Sequence, residues 1–225
     1  MFKTIKNKIQ NMGLLGNKTY GKTWQERDGK EQIEWYDSMH NSHEIQHQDF
    51  INYLKSKNVK HVLEIGCGTG VYPIKLKELF SDLEYTGTDI SETAIKQCKK
   101  NSSFKFIAGD FLKLDFTQEY DLVFSHAVVD HVYDMDAFVS KIVKLTKQFA
   151  YITAYRGYFS ELKKHKMNWN HEDGSYYNDF SIIQIKKKFK EIGLKEDEFT
   201  IRSLKVDNQN DALDFQTIIE IHKTQ

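Results

Sequence analysis

From residue 60 the chain alternates between short apolar runs and amphipathic stretches. "HVLEIG" (61–66), "LEYTGTD" (83–89), "SFKFIAGD" (103–110), "YDLVFSH" (120–126) and "FAYITAY" (149–155) are rich in β-branched and aromatic residues, the composition of strands. Between most of them the spacing predicts helices over 71–80, over 91–101 with Ser91 as cap, and over 134–147 with Phe138, Ile142 and Leu145 at helical intervals. Strand–helix–strand repetition means right-handed crossovers and an α/β parallel sheet covered on both faces. After residue 181, "SIIQIKKKFKEIG" predicts a helix stopped by Gly193. Strands near 197–204 and in "ALDFQTIIEIHK" (212–223) then follow each other without a helix, so they are expected to pair antiparallel.

Ligands of such open sheets bind at the carboxyl ends of the strands, where "VLEIGCGTG" (62–70) lies. Gly66, Gly68 and Gly70 follow G-x-G-x-G, whereas a dinucleotide fingerprint wants glycine at position 71, which is Val71. Glycine lets a ligand approach the backbone at the start of the following helix, where N–H groups meet a carboxylate. Glu64 beside the loop would repel a pyrophosphate but suits an ammonium or sulfonium group. The methionine part of S-adenosylmethionine meets both demands; a plain strand-to-helix turn is the alternative for the glycines alone. Asp89 closes the second strand, where a carboxylate accepts ribose hydroxyls. Asp110 closes the third in "AGDF", an acceptor for an amino group beside Phe111, whose ring is expected to cover an adenine. Any one of these acids reads as a helix cap or loop acid; three at successive strand ends, with the glycines, read as a site.

"VLEIGCGTG", "TGTDIS", "AGDF" and "YDLVFSHAVVDHVYD" resemble, in order and spacing, the successive motifs of class I S-adenosylmethionine-dependent methyltransferases, over about residues 60–155. The resemblance implies a Rossmann-like fold: a seven-stranded, mostly parallel sheet in order 3-2-1-4-5-7-6, strand 7 antiparallel, with helices on both faces. It implies that Glu64, Gly66, Cys67, Gly68 and Gly70 hold the methionine moiety, Asp89 the ribose, and Asp110 with Phe111 the adenine; Ile90 and Ser125 complete the expected cofactor set. A helical cap over 1–58 on the substrate side is expected ahead of a core at 59–225.

Methyl transfer asks the protein for in-line positioning, and for a base when the nucleophile is a hydroxyl. The end of the fourth strand, "SHAVVDHV", offers His126, Asp130 and His131, with helix capping as the structural alternative. Asp130 and His131 also match part of a magnesium pattern, but Ala127 stands where its companion acid belongs, and "HEDGS" (171–175) reads as a polar turn, so no metal is expected. The stretch 154–180 is longer than a crossover requires and rich in aromatics, among them Tyr158, Phe159 and Tyr177, which predicts a lid at about 155–180. Tyr155, Trp169 and Tyr176 are its candidate acceptor contacts, with Arg156 for a carboxylate or phosphate. Residues 23–50, equally aromatic and carrying His40, His43 and His47 at helical intervals, form a second wall or a simple cap.

Charge narrows the partners. Lys+Arg and Asp+Glu are both 32 in the 225 residues, which removes a global argument for nucleic acid. No DPPY-type run follows the fourth strand, and neither Cys67 nor Cys98 stands where a pyrimidine methylation nucleophile is needed. Residues 1–30 carry a net +5, with Phe2, Ile5, Ile9 and Met12 at helical spacing; this reads as weak peripheral membrane contact or as a segment docking on the domain. Two cysteines, no membrane-length apolar run and no signal-peptide pattern lead to a cytoplasmic expectation. The expected activity is S-adenosylmethionine-dependent O-methylation of a small-molecule or glycan acceptor, polar or carbohydrate-like, with a histidine base. A protein or RNA acceptor, or a noncatalytic binding module, are the alternatives.

Overall fold

The computed structural model describes residues 20–26, 29–41, 43–156, 161–206 and 215–224. The basic stretch before Tyr20, Tyr158, Phe159 and the His40 side chain lie outside the described residues. Seven strands form one sheet: β1 (His61–Ile65), β2 (Glu84–Asp89), β3 (Lys105–Ala108), β4 (Tyr120–His126), β5 (Thr146–Ala154), then, after a two-stranded hairpin β6 (Trp169–Asn170) and β7 (Ser175–Tyr176), β8 (Phe199–Lys205) and β9 (Phe215–His222). The order is β3-β2-β1-β4-β5-β9-β8. Counting only strands of this sheet, that is the expected 3-2-1-4-5-7-6. β1 to β5 pair in parallel, and β9 runs antiparallel to both β5 and β8, as expected.

Side-chain alternation divides the core between the two faces. Val62, Leu122, Phe124, Tyr151 and Ile218 point to one face, covered by α3 (Glu44–Leu54), α4 (Tyr72–Leu79) and α5 (Glu92–Asn101). Leu63, Val123, Ile152 and Ile219 point to the other, covered by α6 (Met135–Leu145) and α7 (Ile182–Glu191). Phe50 and Leu54 are fully buried, each contributing about 1.5–3 kcal/mol. The Ser91 and Ser181 hydroxyls cap α5 and α7, accepting from Ala94 and Gln184 N–H, and Gly193 ends α7 at φ 90°.

One boundary differs from expectation. α6 stops at Leu145 and β5 begins at once, because Thr146 donates its hydroxyl to the Ile142 carbonyl (2.8 Å) and turns the chain without a loop. Among residues 20–54, α1 (Lys22–Gln25) and α2 (Gly29–Asn41) lie ahead of α3. Gly21 and Thr23 N–H donate to the carbonyls of Gly174 and Asp173 (2.7 and 2.9 Å), which ties this segment to the β6–β7 hairpin.

Candidate active site

The turn from β1 into α4 is possible only with glycines. Gly66, Gly68 and Gly70 have φ of 78°, 51° and 86°, and Gly66 and Cys67 N–H donate to the Thr88 carbonyl (2.7 and 2.9 Å). A Cβ on Gly66 would stand 2.3 Å from Val128 Cγ2, and one on Gly68 2.9 Å from the Tyr36 ring. Bare backbone therefore faces the cavity at this end. Gly66→Ala is expected to cost about 1–3 kcal/mol, read as a lower denaturant midpoint, because the left-handed backbone and Val128 must both give.

A cavity of about 600 Å³ opens at the carboxyl ends of the strands, within the range of ligand sites. Glu64, Asp89 and Asp110 all line it. Glu64 is buried and accepts the Tyr85 hydroxyl; burial pushes its carboxyl up to about 8, against that hydrogen bond. Asp89 accepts Gly68 N–H (2.9 Å) and Ser91 N–H (2.8 Å); burial raises its pKa, while these N–H groups and the Tyr36 hydroxyl pull it back. Asp110 accepts Leu112 N–H and the Tyr133 hydroxyl, each at 3.0 Å.

Cys67, Ile90 and Phe111 line the cavity as well, and one expected cofactor residue sits elsewhere. The Phe111 ring lines the cavity while packed edge-on to Phe138 (5.3 Å) and beside Phe116 (5.8 Å). Leu112 and Val128 supply aliphatic wall beside it. Ser125 pairs in register with Ile65 and Ile152, so its side chain faces the α6–α7 core and not the cavity.

The end of β4 holds the three candidate bases apart. Ala127 takes φ 55°, a left-handed conformation held by its N–H on the Thr153 carbonyl and hydroxyl (3.1 and 3.0 Å). His126, just before it, also lines the cavity, stacked on Tyr72 at 4.8 Å and edge-on to Phe50 at 4.9 Å. Asp130 is fully buried off the cavity, accepting Tyr155 N–H (3.0 Å) and Arg156 N–H (3.3 Å). Burial raises its carboxyl to about 7 despite those bonds. Its geometry is that of an anchor for the chain leaving β5, not of a base.

His131 is different. Its Nδ1 lies 2.7 Å from the Tyr176 carbonyl, which can only accept, so Nδ1 carries the proton and the Nε2 lone pair is left. Nε2 has no partner among the described residues, and the ring lines the cavity. Trp24 (4.9 Å), Tyr155 (5.4 Å) and Tyr177 (5.1 Å) surround it. Burial lowers its pKa to about 4, so the ring is neutral at ordinary pH.

Of the expected acceptor contacts, only Tyr155 lines the cavity. Arg156 is committed to Asp179 (Nη2–Oδ1 2.9 Å), the Trp169 ring packs on Tyr176 (4.9 Å), and Tyr176 itself is buried, offering its carbonyl to His131. Trp24, His47, Tyr72, Asp173 and Tyr177 form wall that motif reading did not single out as acceptor contacts; the aromatic density of 23–50 and 154–180 was the available signal. The 171–173 stretch is a turn, with Asn170 Oδ1 accepting Glu172 N–H (2.9 Å). Among the described residues no three His, Cys, Asp or Glu side chains converge as metal ligands, and no helix is long and apolar enough to cross a membrane.

Residues 56–200 match a family model described as a methyltransferase domain. A malonyl-[acyl-carrier protein] O-methyltransferase of Acetivibrio thermocellus is 31% identical over 115 residues, 48% of this chain and 41% of that protein. The chain thus aligns to less than half the length of that curated relative. The plantazolicin methyltransferase BamL, solved with a triazolic desmethylPZN analog and SAH, superposes with TM-score 0.63 at 16% identity, covering 91% of this chain and 94% of that one. Magnesium protoporphyrin IX methyltransferase from Synechocystis PCC 6803, solved with SAM, superposes with TM-score 0.56 at 15% identity, covering 99% and 97%. At these identities the solved structures share the fold.

Proposed function

The chain belongs to the methyltransferase-domain family, and from that premise we propose that it transfers the methyl group of S-adenosylmethionine to a hydroxyl oxygen of a small polar, carbohydrate-like acceptor, with His131 as the base. The observation that carries this reading is the tautomer of His131: Nδ1–H is held on the Tyr176 carbonyl, which leaves the Nε2 lone pair on a ring lining the cavity that the glycine loop also lines. The residues fit the cofactor. Bare glycine backbone and Glu64 suit its methionine end, Asp89 its ribose and Asp110 its adenine amino group. When bound it supplies a methyl on a sulfonium, whose carbon–sulfur electron pair stays on sulfur as the new carbon–oxygen bond forms. His131 Nε2 takes the hydroxyl proton, the Tyr176 carbonyl stabilises the imidazolium through Nδ1–H, and the rings around the base keep water out.

A second reading follows the relatives' names: methylation of a carboxyl group carried on an acyl-carrier protein. One experiment separates the two. Labelled S-adenosylmethionine is incubated with the protein and fractionated extract, and the product is treated with mild alkali. Label that survives alkali and is then released by boron tribromide, which cleaves methyl ethers and leaves N-methyl groups, supports the hydroxyl reading. Label released as methanol is an ester and refutes it.

Glu64 makes cofactor binding pH-dependent. Its raised pKa leaves it mostly protonated at pH 7 in the free protein, and a cation beside it favours the ionised form. Binding between about pH 5 and 8 is therefore expected to release a proton, with affinity rising toward pH 8. Calorimetry in buffers of different ionisation enthalpy reads the proton directly; Glu64→Gln should abolish the release. The same shift favours the folded state fully below the ordinary carboxylate range, a contribution lost as pH rises through about 8.

A further inference from the structure

We propose that the acceptor carries no anionic group and is gripped at two points, one hydrogen-bond donor on His131 Nε2 and a second on Asp173 Oδ1. This rests on the methyl-transfer reading above and specifies its substrate.

Both atoms offer only lone pairs. His131 Nδ1–H is taken by the Tyr176 carbonyl, so Nε2 accepts. Asp173 Oδ2 accepts the Tyr177 hydroxyl (2.7 Å) and Asn170 Nδ2–H (2.8 Å), while Oδ1 has no partner among the described residues. Both side chains line the same cavity. Tyr177 spans the two: its ring packs edge-on to His131 at 5.1 Å and its hydroxyl ends on Asp173. Tyr177 thus links the two residues along one wall of the cavity.

A ligand that meets two acceptors must bring the protons. A carboxylate or phosphate brings further lone pairs and a like charge against Asp173, which costs rather than gains. Burial keeps His131 neutral, so it does not become a donor to rescue an anion at ordinary pH. A polyol or amino-alcohol has the complementary pattern: the group on Nε2 loses its proton and takes the methyl, and its neighbour on Asp173 sets which group that is. Trp24 and Tyr155, both against His131, offer ring surface to the carbon face of such a molecule. Asp173 is thus a specificity residue, and its backbone carbonyl, which accepts Thr23 N–H, is untouched by changing its side chain.

The test divides a small-molecule cell extract by ion exchange into anionic, neutral and cationic pools and offers each to the protein with labelled S-adenosylmethionine. Label is expected in the neutral or cationic pool. Asp173→Asn, which replaces one acceptor by a donor in the same shape, should raise the amount of that pool needed for half-maximal rate at least tenfold. Cofactor Kd should stay within about twofold. Asp173→Ala should do the same, and both variants should melt within a few degrees of the parent. Label confined to the anionic pool, or an unchanged half-maximal requirement in both variants, overturns the proposal and leaves methyl transfer standing. No label in any pool, with the cofactor bound, sinks the methyl-transfer reading and this inference with it.

Discussion

His131→Ala is expected to lower kcat by about 10²–10⁴ while leaving cofactor Kd within about twofold. The loss follows from geometry. The lone pair on Nε2 exists because Nδ1–H is spent on the Tyr176 carbonyl, and Asp130, off the cavity and occupied by two backbone N–H groups, cannot replace it. His131→Gln should fail equally, since an amide accepts a hydrogen bond but does not take the proton. Single-turnover rates with labelled cofactor read the chemistry apart from release. The pH profile separates a base from a structural residue. With its pKa lowered to about 4, the base is unprotonated across the neutral range, so the acid limb of wild-type kcat/KM should fall near pH 4 and not at the ordinary histidine value. Folding has the matching sign: neutral, buried His131 contributes stability above about pH 6.5, and that contribution is lost as pH falls toward 4. A His131→Ala enzyme with wild-type turnover removes this base.

What could be read from the chain and what could not divides along the range of the interactions. The glycine loop was legible because three left-handed residues in five leave glycine as the ready choice, and the acids at strand ends because a strand's end is a local fact. The final hairpin followed from two strands with no helix between them. Phe111 lines the cavity beside Asp110, but its packing on Phe138, twenty-seven residues away, is not readable from the motif. Arg156 looked available because Asp179, which neutralises it, arrives from the far side of the β6–β7 hairpin. Asp130 looked catalytic because the backbone N–H groups that use it belong to the next strand's exit. In each case the sequence shows a group's chemistry but not the long-range partner that already consumes it. His126 and His131 both line the cavity, and the long-range contact that distinguishes His131 is the residue 176 carbonyl on its Nδ1.

Asp89→Asn is expected to weaken cofactor binding by about 10²–10⁴, near the loss of two hydrogen bonds to a charged group at about 1.5–3 kcal/mol each. A carboxylate offers about four lone-pair sites. At Asp89 one oxygen holds Gly68 N–H and the other Ser91 N–H, so the same side chain that would receive ribose hydroxyls also ties the glycine loop to the start of α5. The Tyr36 hydroxyl reaches this carboxylate from α2, while its ring stands where a Cβ on Gly68 would lie 2.9 Å away. An asparagine amide must turn its NH₂ toward one of the two backbone donors, which breaks an anchor and removes an acceptor in one change. Tyr36→Phe leaves both anchors in place and is expected to change affinity less than about fivefold. Calorimetric titration of S-adenosylmethionine into both variants distinguishes the roles. If Tyr36→Phe loses as much as Asp89→Asn, the cap rather than the carboxylate holds the ligand. If Asp89→Asn binds within about tenfold of wild type, the ribose lies elsewhere, because no loop that has lost this anchor while keeping its ligand can depend on it.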